Sequence, residues 1–180
     1  MKHFLLAILF MVSTAAHAAC PPPADISKEE KRLLTLAQSA DNPADGQEIT
    51  RELWRLWATA PDEQSQELLD RGMSARSSYD FLAAMDAFDR LTKYCPDYAE
   101  GYNQRAFVNF LRENYDVALD DLDLALERNP RHVAALSGKA LTLMRLGRED
   151  EAQKILRVAV LLNPWIPERG LLKKPKGTDL

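Results

Sequence analysis

Histidine is almost missing from this chain. Of three in 180 residues, His3 and His17 lie within the first 18, and His132 is the only one beyond them. Histidine-rich metal sites and conventional zinc signatures are thereby excluded, and any Ser/His or Cys/His nucleophile has to be built on His132. That residue follows Pro130 at a junction where polar side chains are ordinarily solvated. Cysteine is scarce too: Cys20 and Cys95 are the only two, and without a Cys-x-x-Cys pair a redox-catalytic role has no chemical basis. The seven glycines form no phosphate-binding loop. Asp116, Asp120, Asp121, Asp123 and Glu127 lack calcium-loop spacing. Helical periodicity spreads them over more than one face, as in a solvated or arginine-paired surface, and Arg105 is placed to reach Asp120 or Asp121. No enzyme activity, catalytic residue, cofactor or metal is expected.

Long apolar runs are also lacking, with one exception. Lys2 and His3 precede an uncharged run from Phe4 to Val12, and Ala16-His17-Ala18 follows with the small, bulky, small pattern of a signal-peptidase site. The run is too short for a comfortable membrane anchor. A cleaved export signal over 1–18 is expected, with the mature chain starting near Ala18/Ala19 and residing, soluble, in the periplasm or outside the cell. Acylation of Cys20 is disfavoured, because His17 stands where a lipobox needs an apolar residue. Loss of Lys2 with the signal takes the formal net charge from −4 to −5, unsuited to nucleic acid or an anionic membrane surface. The basic stretch Lys173-Lys174-Pro175-Lys176 reads as a solvated end rather than a lipid anchor.

What the chain does contain is a period. Pro96, Pro130 and Pro164 are spaced 34 apart, and other positions keep the same register without insertion or deletion. Small residues recur at Gly72, Ala106 and Ala140, and again at Ala84, Ala118 and Ala152; Ala125 and Ala159 repeat, with Leu91 in the first copy. Large apolar residues stand at Leu68, Tyr102 and Leu136, and at Phe88, Leu122 and Leu156. Each copy reads as two antiparallel helices meeting where small side chains permit close approach. Arg112 to Asp116 forms the polar turn of the second copy, and Gly147 lies in the matching turn of the third. Asp97 and Glu100 have the spacing of a capping box.

Flanking segments are less regular. Cys20-Pro21-Pro22-Pro23 must be extended. Ser27 and Glu30 suggest a capping box, followed by an apolar stripe of Leu33, Leu34, Leu36, Ala37 and Ala40; a turn from Asp41 to Gly46 leads to a second stripe of Ile49, Leu53, Leu56 and Trp57. This pair of helices is expected to cover the first repeat. Trp54 and Trp57 suit packing more than a ligand platform. After Pro164 no full capping helix follows, and Trp165 and Ile166 are expected to fold over the last repeat's apolar edge.

Residues 65 to 164 resemble tetratricopeptide repeats (TPRs). With Ile49 to Pro61 (ITRELWRLWATAP), Cys95 to Ala106 (CPDYAEGYNQRA) and His132 to Ala140 (HVAALSGKA), the chain resembles a small exported tetratricopeptide protein of alphaproteobacterial type. The resemblance implies an all-α, right-handed α-solenoid of three TPR helix pairs with a divergent N-terminal helix pair. Its units are a signal peptide at 1–18, an extended Pro-rich lead-in at 19–26, the divergent pair at 27–64, repeats at 65–98, 99–132 and 133–166, and a short cap and basic tail at 167–180. It also implies binding of a protein or peptide in the concave groove, whose facing positions are Leu69, Met73, Arg76, Asn103, Phe107, Phe110, Ser137, Leu141, Met144 and Arg145. The family's carboxylate clamp needs Lys and Asn where Leu69 and Met73 stand, so an apolar groove edged by arginine is expected instead.

Export and an even cysteine count favour a disulfide between Cys20 and Cys95, with two unpaired thiols as the alternative. The functional expectation is an exported, non-enzymatic scaffold or adaptor for a segment of another cell-envelope protein. The competing expectation is a self-associating structural or chaperone-like assembly factor. Buried core is the competing reading of the groove's apolar residues.

Overall fold

The computed structural model describes residues 19–174, and every regular element among them is helical: α1 (Ser27–Ser39), α2 (Pro43–Trp57), α3 (Glu63–Ser77), α4 (Phe81–Tyr94), α5 (Ala99–Leu111), α6 (Tyr115–Arg128), α7 (Val133–Arg145), α8 (Glu149–Leu162) and a 3-10 turn at Pro167–Leu171. The expected signal peptide and the end of the basic tail lie outside the described residues. Helices α3 to α8 form three successive antiparallel pairs that stack side by side, and the 34-residue register explains how. Ala84, Ala118 and Ala152 are fully buried where the two helices of each pair close on one another. In the first pair the small residue is Gly72: a Cβ there would sit 2.4 Å from the Phe88 ring, so the glycine is what lets that ring in.

Each pair turns through one residue with left-handed backbone, and these too stand 34 apart: Tyr79 (φ 61°), Glu113 (φ 61°) and Gly147 (φ 74°). The amide three residues beyond the helix end then bonds back to the last turn, from Asp80 to Ala75, Asn114 to Asn109 and Arg148 to Leu143, all at 2.9 Å. This closes the carbonyls that a helix end leaves open. Asp62 caps α3 through the Ser65 amide and accepts from Tyr94 Oη at 2.7 Å. Asn42 caps α2, which starts at Pro43, within the stretch expected to be a turn.

The N-terminal pair does not cover the first repeat. It packs on the third. Leu33 and Leu34 of α1 and Leu53 and Trp57 of α2 share one core with Val133, Leu136, Ala140, Leu156, Ala159 and Ile166. Trp165 Nε1 donates to the Ala37 carbonyl at 2.8 Å, Gln38 Nε2 to the Leu161 carbonyl at 2.8 Å, and Asn163 Nδ2 to Thr50 Oγ1 at 2.9 Å. The physical reason is the shortage noted at the C-terminus. Among the described residues no α-helix follows the last repeat to bury its apolar edge, and α1 is an amphipathic helix in need of the same burial. Each of the four large side chains it brings with α2 is worth roughly 1.5–3 kcal/mol when buried. Trp165 and Ile166 do fold back, and what they cover is the seam between this pair and α8.

Two expected caps are corrected by the same packing. Ile26 and Tyr98, not Ser27 or Asp97, occupy the cap positions of α1 and α5, without side-chain cap bonds. Glu30 is buried and accepts from Trp57 Nε1 (2.9 Å), Asn129 Nδ2 (2.6 Å) and Arg131 Nε (3.1 Å). Glu100 is buried against His132, Asn103 and Gln104. Cys20 and Cys95 form a disulfide with Cα atoms 5.1 Å apart, tying the lead-in to the end of α4.

Candidate functional site

The sequence places Met73, Phe107 and Leu141 one repeat apart, and the structure gathers all three around a single cavity of about 660 Å3. One wall is the concave face of the array, supplied by α3, α5 and α7. The other is α2, which contributes Thr50, Trp54, Arg55, Trp57 and Ala58, while Ile166, Pro167 and Glu168 close one end. The volume falls in the range typical of ligand pockets. Phe107 is 46% exposed although it faces this chamber, and Trp54 is 40% exposed. Large apolar side chains left open in a concave face are more informative than an isolated one on a convex surface.

Of the ten groove positions, Met73, Arg76, Asn103, Phe107, Phe110, Ser137 and Leu141 line the cavity. Leu69, Met144 and Arg145 do not. Leu69 is fully buried in the first core beside Phe88 and Leu91, because its helical position turns it inward toward α4. Met144 packs against the third core, and Arg145, at the last residue of α7, points to solvent outside the cavity. Missing from the sequence reading was the whole α2 wall. Its one available signal was the Trp54 and Trp57 pair, expected to be packing: Trp57 is, buried and stacked on His132 with ring centroids 4.3 Å apart, whereas Trp54 is left 40% exposed on the cavity wall.

Arg76 defines the electrostatics of the chamber. Its guanidinium lies over the Phe107 ring, 4.6 Å from the centroid, and donates to Gln104 Oε1. Burial holds its pKa below the usual arginine value, with the Glu100 charge pulling the other way. Gln104 Nε2 in turn donates to Glu100, whose other oxygen is 2.8 Å from His132 Nε2. His132 is therefore a buried structural residue, 1% exposed, not a solvated one. Arg105 forms the expected ion pair with Asp121, at 2.6 Å, and also meets Asp89 at 2.9 Å. Among the described residues no group of three or more His, Cys, Asp or Glu side chains is placed to hold a metal ion.

Residues 110–164 match the tetratricopeptide repeat family model. The described residues form an all-helical repeat solenoid of tetratricopeptide-like fold. A TPR repeat-containing protein of Rhizobium etli is 26% identical over 157 residues, 81% of this chain and 77% of that protein. The Hsp70/Hsp90 co-chaperone cns1 of Schizosaccharomyces pombe is 30% identical over 158 residues, and this chain spans only 44% of its length. Among solved structures, the array resembles the TPR2B-domain:pHsp70 complex of yeast Sti1, with TM-score 0.55 and 24% identity over 56% of this chain and 81% of that one. It also resembles the first TPR of Spaghetti (RPAP3) bound to the HSP90 peptide SRMEEVD, with TM-score 0.59 and 21% identity over 61% and 86%. At these identities the solved structures speak for the TPR fold alone. No helix among the described residues is long and apolar enough to cross a membrane.

Proposed function

We propose that this TPR protein is an exported, non-enzymatic adaptor that binds a segment of another cell-envelope protein at the concave face, with 65–98, 99–132 and 133–166 as its repeat units. The observation that carries it is the open apolar chamber around Phe107, which the array's own packing leaves unfilled. Burial of apolar anchors supplies affinity in such a groove, and Arg76 selects orientation. Peptide complexes among the structurally similar TPR domains support the reading. Export is supported by the disulfide, which persists in an oxidising compartment.

The test is photo-crosslinking from the position of Phe107 in intact cells, with identification of what is captured. One envelope protein should crosslink, and Phe107→Ala should abolish its capture while costing no more than about 1.5 kcal/mol of stability, since the ring is already half exposed. A stability loss of about 3 kcal/mol or more would mark Phe107 as core and move the site elsewhere. A second reading, self-association, is favoured by Tyr79 and Leu82, both largely exposed at the first-repeat end. Light scattering on the purified protein separates the two, the adaptor being monomeric.

A further inference from the structure

Two polar groups at the cavity are short of partners, half-buried Arg76 and buried Ser137. The first is Arg76: among the described residues it has no carboxylate within salt-bridge distance, and the amide oxygen of Gln104 is its one side-chain hydrogen-bond partner. The second is Ser137 on α7, 6% exposed, whose Oγ is buried with no hydrogen bond at all. That contrasts with the protein's other helical hydroxyls. Thr50, Thr92 and Thr142 each bond the carbonyl four residues back, at 2.7, 2.9 and 2.8 Å. Both Arg76 and Ser137 line the same chamber, whose remaining surface is overwhelmingly carbon. The other charged residues lining it do not answer Arg76: Arg55 has the same sign and is paired with Glu48 at 3.2 Å, and Glu168, on the 3-10 turn beyond α8, makes no salt bridge with it.

We propose that this chamber is a binding site for a single-chain amphiphile bearing a carboxylate, with the head on Arg76 and the apolar chain lying along the Met73, Phe107 and Leu141 column. The chemistry follows from what is unsatisfied. A guanidinium fork matches a carboxylate in two parallel hydrogen bonds, which are stronger in a low-dielectric wall than in water. The shape follows from α2. An extended peptide running the length of a concave groove meets the Trp54 wall, whereas a chamber of about 660 Å3 suits a compact small ligand. The amphiphile occupies the same chamber as the partner segment proposed above, and the two occupants are told apart because an amphiphile is bound by the isolated protein with no partner present.

The experiment uses protein purified from its own cells, with sodium dodecanoate, dodecan-1-ol and dodecyltrimethylammonium as probes below their micelle concentrations. Binding is read by calorimetry and by the fluorescence of Trp54 and Trp57, which line the chamber. Dodecanoate is expected to bind saturably at one site and more tightly than either other probe. Arg76→Gln is expected to weaken it by at least about tenfold, the worth of a charged hydrogen bond, while leaving dodecan-1-ol unchanged. Leu141→Trp, which fills the chamber, should abolish all three, with circular dichroism confirming the fold of each variant. Equal binding of dodecanoate and the alcohol, or indifference to Arg76→Gln, overturns the proposal. Failure of every probe does so as well, and leaves capture of a protein partner to be judged by crosslinking. Tight binding of a peptide ending in an apolar residue, with dodecanoate inert, assigns the chamber to the adaptor function instead and also overturns it.

Discussion

Gly46→Ala tests the closure of the N-terminal pair onto the last repeat, because packing and helix propensity predict opposite signs for it. Gly46 lies in the first turn and a half of α2, where alanine alone would stabilise by about 1 kcal/mol. A Cβ at this position, however, would lie 2.2 Å from Cγ and Cδ2 and 2.4 Å from Cδ1 of Trp165, well inside the distance that real Cβ atoms keep. The indole is held from its other side by the bond from Nε1 to the Ala37 carbonyl, and Arg169 sits over its face, 5.4 Å from the centroid. Displacing the ring costs about 1–3 kcal/mol for overpacking and roughly 1 kcal/mol for the hydrogen bond. Offset by the propensity gain, the net loss is about 1–3 kcal/mol.

Urea denaturation is the assay, read as a lowered midpoint at constant slope. The decisive control is the Trp165→Ala background. With the indole gone the new methyl has room, so Gly46→Ala should there become stabilising by up to about 1 kcal/mol. If the substitution stabilises the wild-type protein, or costs the same with and without Trp165, the α2 seam is not packed as described, and the cavity wall derived from it goes too.

Reduction of Cys20–Cys95, which closes a loop of sequence separation 75, should lower stability by about 3–5 kcal/mol on the chain-entropy account. Nonreducing peptide mapping of protein taken directly from cells should show the pair, and two alkylatable thiols there would count against both the bond and export. Glu113 and Gly147 occupy equivalent left-handed turns, so Glu113→Gly should leave stability unchanged or raise it by up to about 1 kcal/mol, and Gly147→Ala should lower it by about 1 kcal/mol. Thermal melts of the two variants check the asymmetry.

The repeat register was legible because it rests on local quantities: which positions must be small, which must be large, and where a helix stops before proline. Those quantities recur every 34 residues, so Ala84, Ala118 and Ala152 announce their own burial. The site was legible only on the array's side. Met73, Phe107 and Leu141 follow from the register, whereas Trp54 and Arg55 reach the chamber because α2 docks on a repeat far away in sequence. Adjacency along the chain favoured the first repeat; an uncovered apolar edge on the third decided otherwise. Glu30 and Glu100 were misread for a related reason. Their spacing from Ser27 and Asp97 is that of a cap, and nothing local reveals that Arg131 and His132 will compete for them. Tyr79 and Glu113 gave no hint of positive φ, because the residue that advertises such backbone, glycine, is present only in the third turn.

These long-range partners also connect the closure to the chamber. Glu30 of α1 accepts from Trp57 of α2; Trp57 stacks on His132; His132 bonds Glu100; Glu100 accepts from Gln104; and Gln104 accepts from Arg76, which rests on Phe107. The chain runs from α1 to the Arg76 guanidinium of the cavity without an exposed link, and in a low-dielectric interior each bond constrains the next. A buried carboxylate such as Glu100 is tolerated only while its donors remain in place. Docking of the N-terminal pair therefore does more than cover an apolar edge. It fixes Trp57 against His132, which fixes the acceptor set of Glu100, and through Gln104 that sets where the Arg76 guanidinium points. A site whose cation is positioned by the same contacts that close its wall has its geometry and its enclosure fixed together, so neither is present in an array whose N-terminal helices have come away.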